Sequence, residues 1–93
     1  MLTVIAYDVA DDRRRHAIST VLADHGRRVN YSVFECDLEV RAFTALWLHL
    51  GRLMNPQEDR IVSYRLCQDC GERTATLGMA LPDTGAQNGL IIV

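Results

Sequence analysis

The chain has no lysine, only two prolines, three cysteines and one tryptophan among its 93 residues. It also has little excess charge, because ten arginines face twelve acidic residues, while 48% of the residues are hydrophobic. An apolar fraction this high with so low a net charge excludes an intrinsically disordered chain. The length corresponds to one domain, and a domain this small buries too little surface to be very stable alone, so we expect it to oligomerise.

The lack of a long apolar run and of many cysteines bears on location. Residues 1–7 are mostly apolar, but they contain no basic residue and end at Asp8, which is typical neither of a signal peptide nor of a membrane span. Three cysteines without an export signal, Cys36, Cys67 and Cys70, argue against a disulfide scaffold and for a reducing compartment. We therefore expect a cytoplasmic protein without a membrane partner. Cys67 and Cys70 have the spacing of half a zinc site, but no second pair of ligands follows, so metal or redox use is disfavoured.

Positive charge is concentrated in one part of the chain. Residues 13–28 contain five arginines and one acidic residue, Asp24, so this window carries a charge of +4 and the rest of the chain −6. Guanidinium groups suit phosphate groups, and the window predicts a nucleic-acid-binding surface. A solvated helix face balanced by neighbouring acids is an equally good interpretation. The predicted binding residues are Arg13, Arg14, Arg15, Arg27 and Arg28.

The first part of the chain has the pattern of a strand, a short loop and a helix. Residues 2–8 are apolar on nearly both sides of the alternation, as in a central strand. Asp11 or Asp12 can cap the helix that follows, and we expect Gly26 to end it.

The later part of the chain continues with alternating elements. Residues 28–38 alternate with a period of two, which fits either one long strand or a tight hairpin. Residues 39–53 form an amphipathic helix pattern and residues 60–67 a further strand. A weak strand near 74–79, a loop over 82–89 and an apolar run at 90–93 follow.

This order of elements predicts an α+β sandwich with both helices on one side of an antiparallel sheet. Several strands can bury both faces, yet no third helix is available to cover the second face. We expect a second copy of the chain to supply that cover.

Asp8 is the main candidate for chemistry, because a carboxylate that ends a buried strand just before a helix is not part of the apolar alternation. Mg²⁺ is held by one or two carboxylates and keeps most of its waters, so two copies of Asp8 around a two-fold axis could bind it. The alternative is that the aspartates in this loop, Asp8 and Asp11, only shape it and cap the helix, which is the more common use of such residues.

A longer pattern carries a family resemblance. Tyr7-Asp8-Val9-Ala10-Asp11-Asp12 is followed by Arg15, Leu22 and Gly26, and then by Arg28-Val29-Asn30-Tyr31-Ser32-Val33-Phe34-Glu35. This pattern, over about residues 1–70, resembles the second CRISPR-associated protein family, the small partner of the CRISPR integrase. Asn30 departs from it, since glutamine is usual there and reaches further.

The resemblance implies a ferredoxin-like βαββαβ sandwich with an extra C-terminal strand that forms a homodimer, sheet against sheet. Residues 1–80 would be the domain, and residues 81–93 an extension that pairs with the partner protomer.

The resemblance also implies a site and two roles. Asp8 of both protomers would bind Mg²⁺, and the implied catalytic residues are Asp8, Tyr7, Arg15, Arg28 and Phe34. Such proteins are described as metal-dependent endonucleases on RNA or DNA, and as a bridge that binds double-stranded DNA between integrase dimers during spacer acquisition. We expect the bridging role, with endonuclease activity on DNA or single-stranded RNA beside it. A small-ligand-binding regulator on the same fold is the alternative.

Overall fold

The computed structural model describes residues 1–67, 69–70, 73, 75–78 and 91–92. Its elements are β1 (Leu2–Asp8), α1 (Asp12–Ala23), β2 (Gly26–Asn30), β3 (Val33–Asp37), α2 (Val40–Leu53), β4 (Arg60–Leu66), β5 (Ala75–Thr76) and β6 (Ile91–Ile92). The loop predicted over 82–89 lies outside the described residues. Among the helices that the structure describes, none has the length and apolar character to span a membrane.

The four longer strands form one antiparallel sheet in the order β2-β3-β1-β4. β1 is central, as its two apolar sides predict, and pairs with β3 on one side and β4 on the other. The predicted α+β architecture of a four-stranded antiparallel sheet with two helices is confirmed.

Residues 28–38, for which strand and hairpin were both open, form part of a hairpin. β2 and β3 are joined by Tyr31 and Ser32. The pairing shifts between Arg28 and Asn30, because Arg28 is opposite Phe34 while Asn30 is opposite Val33. A bulge of this kind changes which residues share a face, so simple alternation could not identify the hairpin.

The ends of α1 resolve one prediction and correct another. Asp11 is the N-cap, since its side chain accepts a hydrogen bond from the backbone N–H of Arg14 at 2.9 Å. The expectation that Gly26 ends the helix is wrong, because α1 ends at Ala23 and Gly26 begins β2. A Cβ atom at Gly26 would lie 2.1 Å from the carbonyl oxygen of Glu35. Glycine is needed there because β2 passes so close to β3.

The main core lies between the helices and one face of the sheet. Its buried side chains come from the strands (Ile5, Tyr7, Phe34 and Cys36) and from the helices (Ile18, Leu22, Leu46 and Leu50). The opposite face of the sheet, the open face, is also apolar. Val4 and Ala6 on β1 are half-buried there beside their β4 partners, Tyr64 and Val62, and Tyr64 is 58% exposed. The sheet therefore leaves exposed the apolar surface that the sequence predicted a second copy would cover.

The chain end contributes a separate small ladder. β5 pairs with β6 in parallel, with Ala75 opposite Ile91 and Thr76 opposite Ile92. Part of the predicted terminal strand thus pairs within the chain. That residues 81–93 pair with the partner protomer stays a prediction.

Candidate functional site at the end of the first strand

Asp8 is the last residue of the central strand, and its side chain is exposed. It lies opposite Arg60, the first residue of β4, which is also exposed. Together with Ala6, Tyr7 and Val62 these two residues line a shallow cleft of about 170 Å³. The central strand thus presents a carboxylate beside a guanidinium group in an open cleft.

Arg15 holds the loop that follows Asp8. Its Nη1 donates hydrogen bonds to the carbonyl oxygens of Val9 and Ala10, both at 3.1 Å, and its Nη2 pairs with Asp12. These bonds tie the first turn of α1 to the two residues that leave the strand. Arg15 therefore positions the backbone next to Asp8.

Tyr7 and Arg28 meet at one backbone carbonyl of the β2–β3 turn, and both side chains contact the ring of Phe34. The hydroxyl of Tyr7 donates to the oxygen of Tyr31 at 3.3 Å, and Nη1 of Arg28 donates to the same oxygen at 2.9 Å. The Tyr7 and Phe34 rings are stacked with centroids 6.4 Å apart, and the Arg28 guanidinium lies 5.2 Å from the Phe34 centroid. Tyr7 and Phe34 belong to the core. The hydrogen bond from Tyr7 therefore anchors the turn to the core.

Burial moves the pKa of the Tyr7 hydroxyl further above neutral pH. Desolvation raises the pKa of its hydroxyl, although the nearby charges of Arg28 and Arg15 act in the opposite direction. The hydroxyl stays protonated near neutral pH and acts as a hydrogen-bond donor.

The turn itself presents an aromatic ring to solvent. Tyr31 is 80% exposed, while its backbone N–H donates to the side-chain oxygen of Asn30 at 2.9 Å. The backbone N–H of Tyr7 donates to the oxygen of Ser32 at 3.0 Å, which joins the turn to the end of β1 that carries Asp8. Asn30, the departure from the family pattern, thus helps to hold this turn.

Arg14 is engaged far from Asp8. Its Nε donates to Asp59 Oδ2 at 2.8 Å and its Nη2 to Glu58 Oε1 at 3.0 Å. The Asp59 side chain has no exposed surface, and it also accepts the backbone N–H of Asn55 at 2.8 Å. The Arg14 hydrogen bond, with that from Asn55, lowers the pKa of Asp59. Arg14 thus fastens α1 to the connection between α2 and β4.

The five arginines predicted to bind nucleic acid have different neighbours in the structure. Arg27 pairs with Glu35 at 3.1 Å on the sheet. Arg15 and Arg28 both act on Tyr7 and lie at the Asp8 end. Arg13 is exposed, and no side-chain hydrogen bond or ion pair joins it to any residue that the structure describes.

The described residues offer few ligands for a metal ion. Among residues 1–67 and the few later positions described, no three His, Cys, Asp or Glu side chains are grouped to hold one. Asp8 is an exposed carboxylate at the end of β1, which suits Mg²⁺ with its retained waters but not a closed structural site.

Sequence reasoning missed Arg60 and Asp59 as members of these constellations. Arg60 is opposite Asp8 only because β4 pairs antiparallel with β1. Asp59, next to it, is bound by Arg14 from 45 residues earlier in the chain. The break of the α2 pattern at Asn55 and Pro56 was the only local signal of a structured connection there.

The fold and the site define a small α+β protein with a carboxylate at the end of its central strand. The profile of the family described as "CRISPR associated protein Cas2" matches residues 1–74. The chain belongs to this family, as its Tyr7–Glu35 pattern predicted.

Individual relatives and structures agree with this assignment. The chain is 44% identical over 84 residues to "CRISPR-associated endoribonuclease Cas2 3" of Chloroflexus aurantiacus, covering 90% of each protein. It is 42% identical over 93 residues to "CRISPR-associated endoribonuclease Cas2 1" of the same organism, covering 99% of this chain and 100% of that one. The crystal structure of Streptococcus pyogenes Cas2 is similar with a TM-score of 0.76 and 29% identity, over 84% of this chain and 100% of that one. The crystal structure of a hypothetical protein from Thermus thermophilus is similar with a TM-score of 0.69 and 36% identity, over 71% of this chain and 80% of that one.

Proposed function

We propose that this protein acts in CRISPR spacer acquisition as a homodimer, with a magnesium-dependent endonuclease site formed by Asp8 of both protomers. The observation that supports this best is the exposed Asp8 carboxylate at the end of the central strand, in a cleft that also contains Arg60. Relatives named endoribonucleases support the same activity.

The open face of the sheet supports the proposed homodimer. Val4, Ala6 and Val62 are only half-buried there, and Tyr64 is largely exposed. Packing the same face of a second copy against it would remove this apolar surface from water. Such a two-fold arrangement would give each Asp8 a symmetry mate, so that two carboxylates could share one Mg²⁺ ion.

The residues around Asp8 have distinct tasks in this proposal. Bound Mg²⁺ would activate water and offset phosphate charge. Arg60 offers a guanidinium group to the phosphate beside Asp8. Arg15 holds the loop after Asp8, whereas Tyr7, Phe34 and Arg28 hold the β2–β3 turn (contacts above).

Single-stranded RNA is the substrate that this end of the molecule favours. Tyr31 presents a ring that is 80% exposed on a turn fixed by hydrogen bonds from Tyr7 and Arg28. Unpaired bases stack on exposed aromatic rings, whereas paired bases are already stacked in a duplex.

The decisive experiment replaces Asp8 by asparagine in the full chain. Asp8→Asn keeps size and one acceptor oxygen but removes the charge that holds a cation, so magnesium-dependent cleavage of single-stranded RNA should be lost while the dimer remains. Asp24→Asn changes an exposed acid at the far end of α1 and should leave cleavage unchanged. Cleavage is followed on labelled RNA with Mg²⁺ and with a chelator, and mass by sedimentation. Equal cleavage by wild type and Asp8→Asn would refute the site.

The second candidate function is the bridge between integrase dimers on double-stranded DNA. Arg13 favours it, because this guanidinium is exposed and has no side-chain partner among the described residues (above). Arg13→Glu should weaken DNA binding by the complex with the integrase and reduce its dependence on salt, because fewer counterions are released. Arg41→Glu, an exposed arginine of α2, is the matched control. Equal losses in both variants would show that only net charge matters.

A further inference from the structure

Two cysteines that the proposed function does not use lie where the chain leaves the main sheet. Cys67 directly follows β4, and Cys70 comes three residues later. Both side chains are exposed, whereas the third cysteine, Cys36, is buried in the core. Burial, with the charge of Glu35, raises the pKa of Cys36 to about 11, so this thiol is unreactive. The exposed pair is therefore chemically distinct from Cys36.

The two exposed cysteines are joined by a hydrogen bond. The backbone N–H of Cys70 donates a hydrogen bond to Sγ of Cys67 at 3.4 Å. The backbone N–H of Arg73 donates to the Cys70 carbonyl at 3.2 Å, so the turn is held on its far side as well. This arrangement makes the Cys67 sulfur the acceptor of a hydrogen bond from the backbone of Cys70.

The hydrogen bonds make the two thiols unequal. Those from the backbone N–H and then the thiol of Cys70 lower the pKa of Cys67, because they stabilise its thiolate. Donating to Cys67, and lying beside its charge, raises the pKa of Cys70. Cys67 is therefore the better nucleophile and Cys70 the resolving thiol.

Although the spacing alone disfavoured redox use, we propose from this hydrogen bond and exposure that Cys67 and Cys70 form a reversible dithiol–disulfide couple that exchanges with small-molecule disulfides of the glutathione class. The Cys67 thiolate attacks one sulfur of the disulfide, a mixed disulfide forms, and one thiolate leaves. Cys70 then gives up its proton and attacks Sγ of Cys67, which forms the intramolecular disulfide and releases the second thiolate. The protein loses two electrons and two protons, and the small disulfide is reduced to two thiols.

Oxidation would close a covalent ring in the turn between β4 and the small β5–β6 ladder. The site is separate from Asp8, because Leu66 at this end of β4 is opposite Leu2, whereas Asp8 is opposite Arg60 at the other end. The couple can therefore operate whether or not Asp8 supports cleavage.

The test equilibrates the full-length protein with mixtures of reduced and oxidised glutathione, followed by acid quenching, thiol alkylation and mass spectrometry. Two thiols should disappear together within one chain, with Cys36 still alkylated only after unfolding. Cys70→Ser should accumulate a mixed disulfide on Cys67. Cys67→Ser should react several-fold more slowly than Cys70→Ser.

Three results would overturn the proposal. The first is that both cysteines end as mixed disulfides in the wild type, and the second is that the disulfide joins two chains. The third is that the purified protein holds zinc that is lost in both serine variants. Far-UV circular dichroism of each variant checks that it is folded.

Discussion

Replacing Gly26 by alanine should strongly destabilise the protein, although the change adds one methyl group. The added Cβ would lie 2.1 Å from the carbonyl oxygen of Glu35, 2.6 Å from Sγ of Cys36 and 2.9 Å from its Cα. Two of these atoms belong to the backbone of β3, so rotating a side chain cannot relieve the contact. Overpacking of this kind costs about 1 to 3 kcal/mol, and we expect the upper end because β2 has to move away from β3.

Gly51 is a matched control with the opposite sign. It lies within α2, and a Cβ atom there would meet nothing within 4 Å. Gly51→Ala should stabilise the protein by roughly 0.5 to 1 kcal/mol, because alanine loses less backbone freedom in a helix.

Urea unfolding followed by far-UV circular dichroism measures both effects. Protein concentration is kept equal, since association of two copies would contribute to apparent stability. In thermal unfolding, Gly26→Ala should lower Tm by roughly 10 to 20 °C. A loss below about 1 kcal/mol would show that the strands separate easily and would refute the close-approach explanation. Gly26→Asn separates that explanation from a helix cap, because asparagine is tolerated at a left-handed cap but not against the β3 backbone.

Two further predictions concern the N-cap of α1 and the ion pair that joins α1 to Asp59. Asp11→Ala should lower the free energy of unfolding by about 1 kcal/mol, because the N-cap is lost. Asp12→Ala should lower it clearly less. Equal losses in urea unfolding would contradict the assignment of Asp11 as the cap. Because Arg14 and Asn55 lower the pKa of Asp59, its ionisation stabilises the folded state above its ordinary pKa of 3.8, and this contribution disappears as pH falls through the lower folded-state pKa. Asp59→Asn should therefore flatten the acid dependence of unfolding free energy below about pH 4; an unchanged slope would count against the ion pair.

The sequence alone determined those features that depend on neighbours within a few residues. The two apolar sides of residues 2–8 predicted the central strand β1, and the helical spacing over residues 39–53 predicted α2. The pattern from Tyr7 to Glu35 identified the family. Each of these signals comes from a local period or a local motif, which is readable without knowing which strands are adjacent.

Tertiary structure decided which distant residues meet. Arg14 is bound by Asp59 across 45 positions of sequence, and no period links the two. Glycine commonly ends a helix, which is why Gly26 was expected to end α1. In the structure, glycine is required at this position because β2 lies so close to β3. Asp8 and Arg60 share a cleft because antiparallel pairing of β1 and β4 brings them opposite each other. Close approach, ion pairing and site geometry depend on the positions of whole elements in space, and these positions follow from packing of the core as a unit.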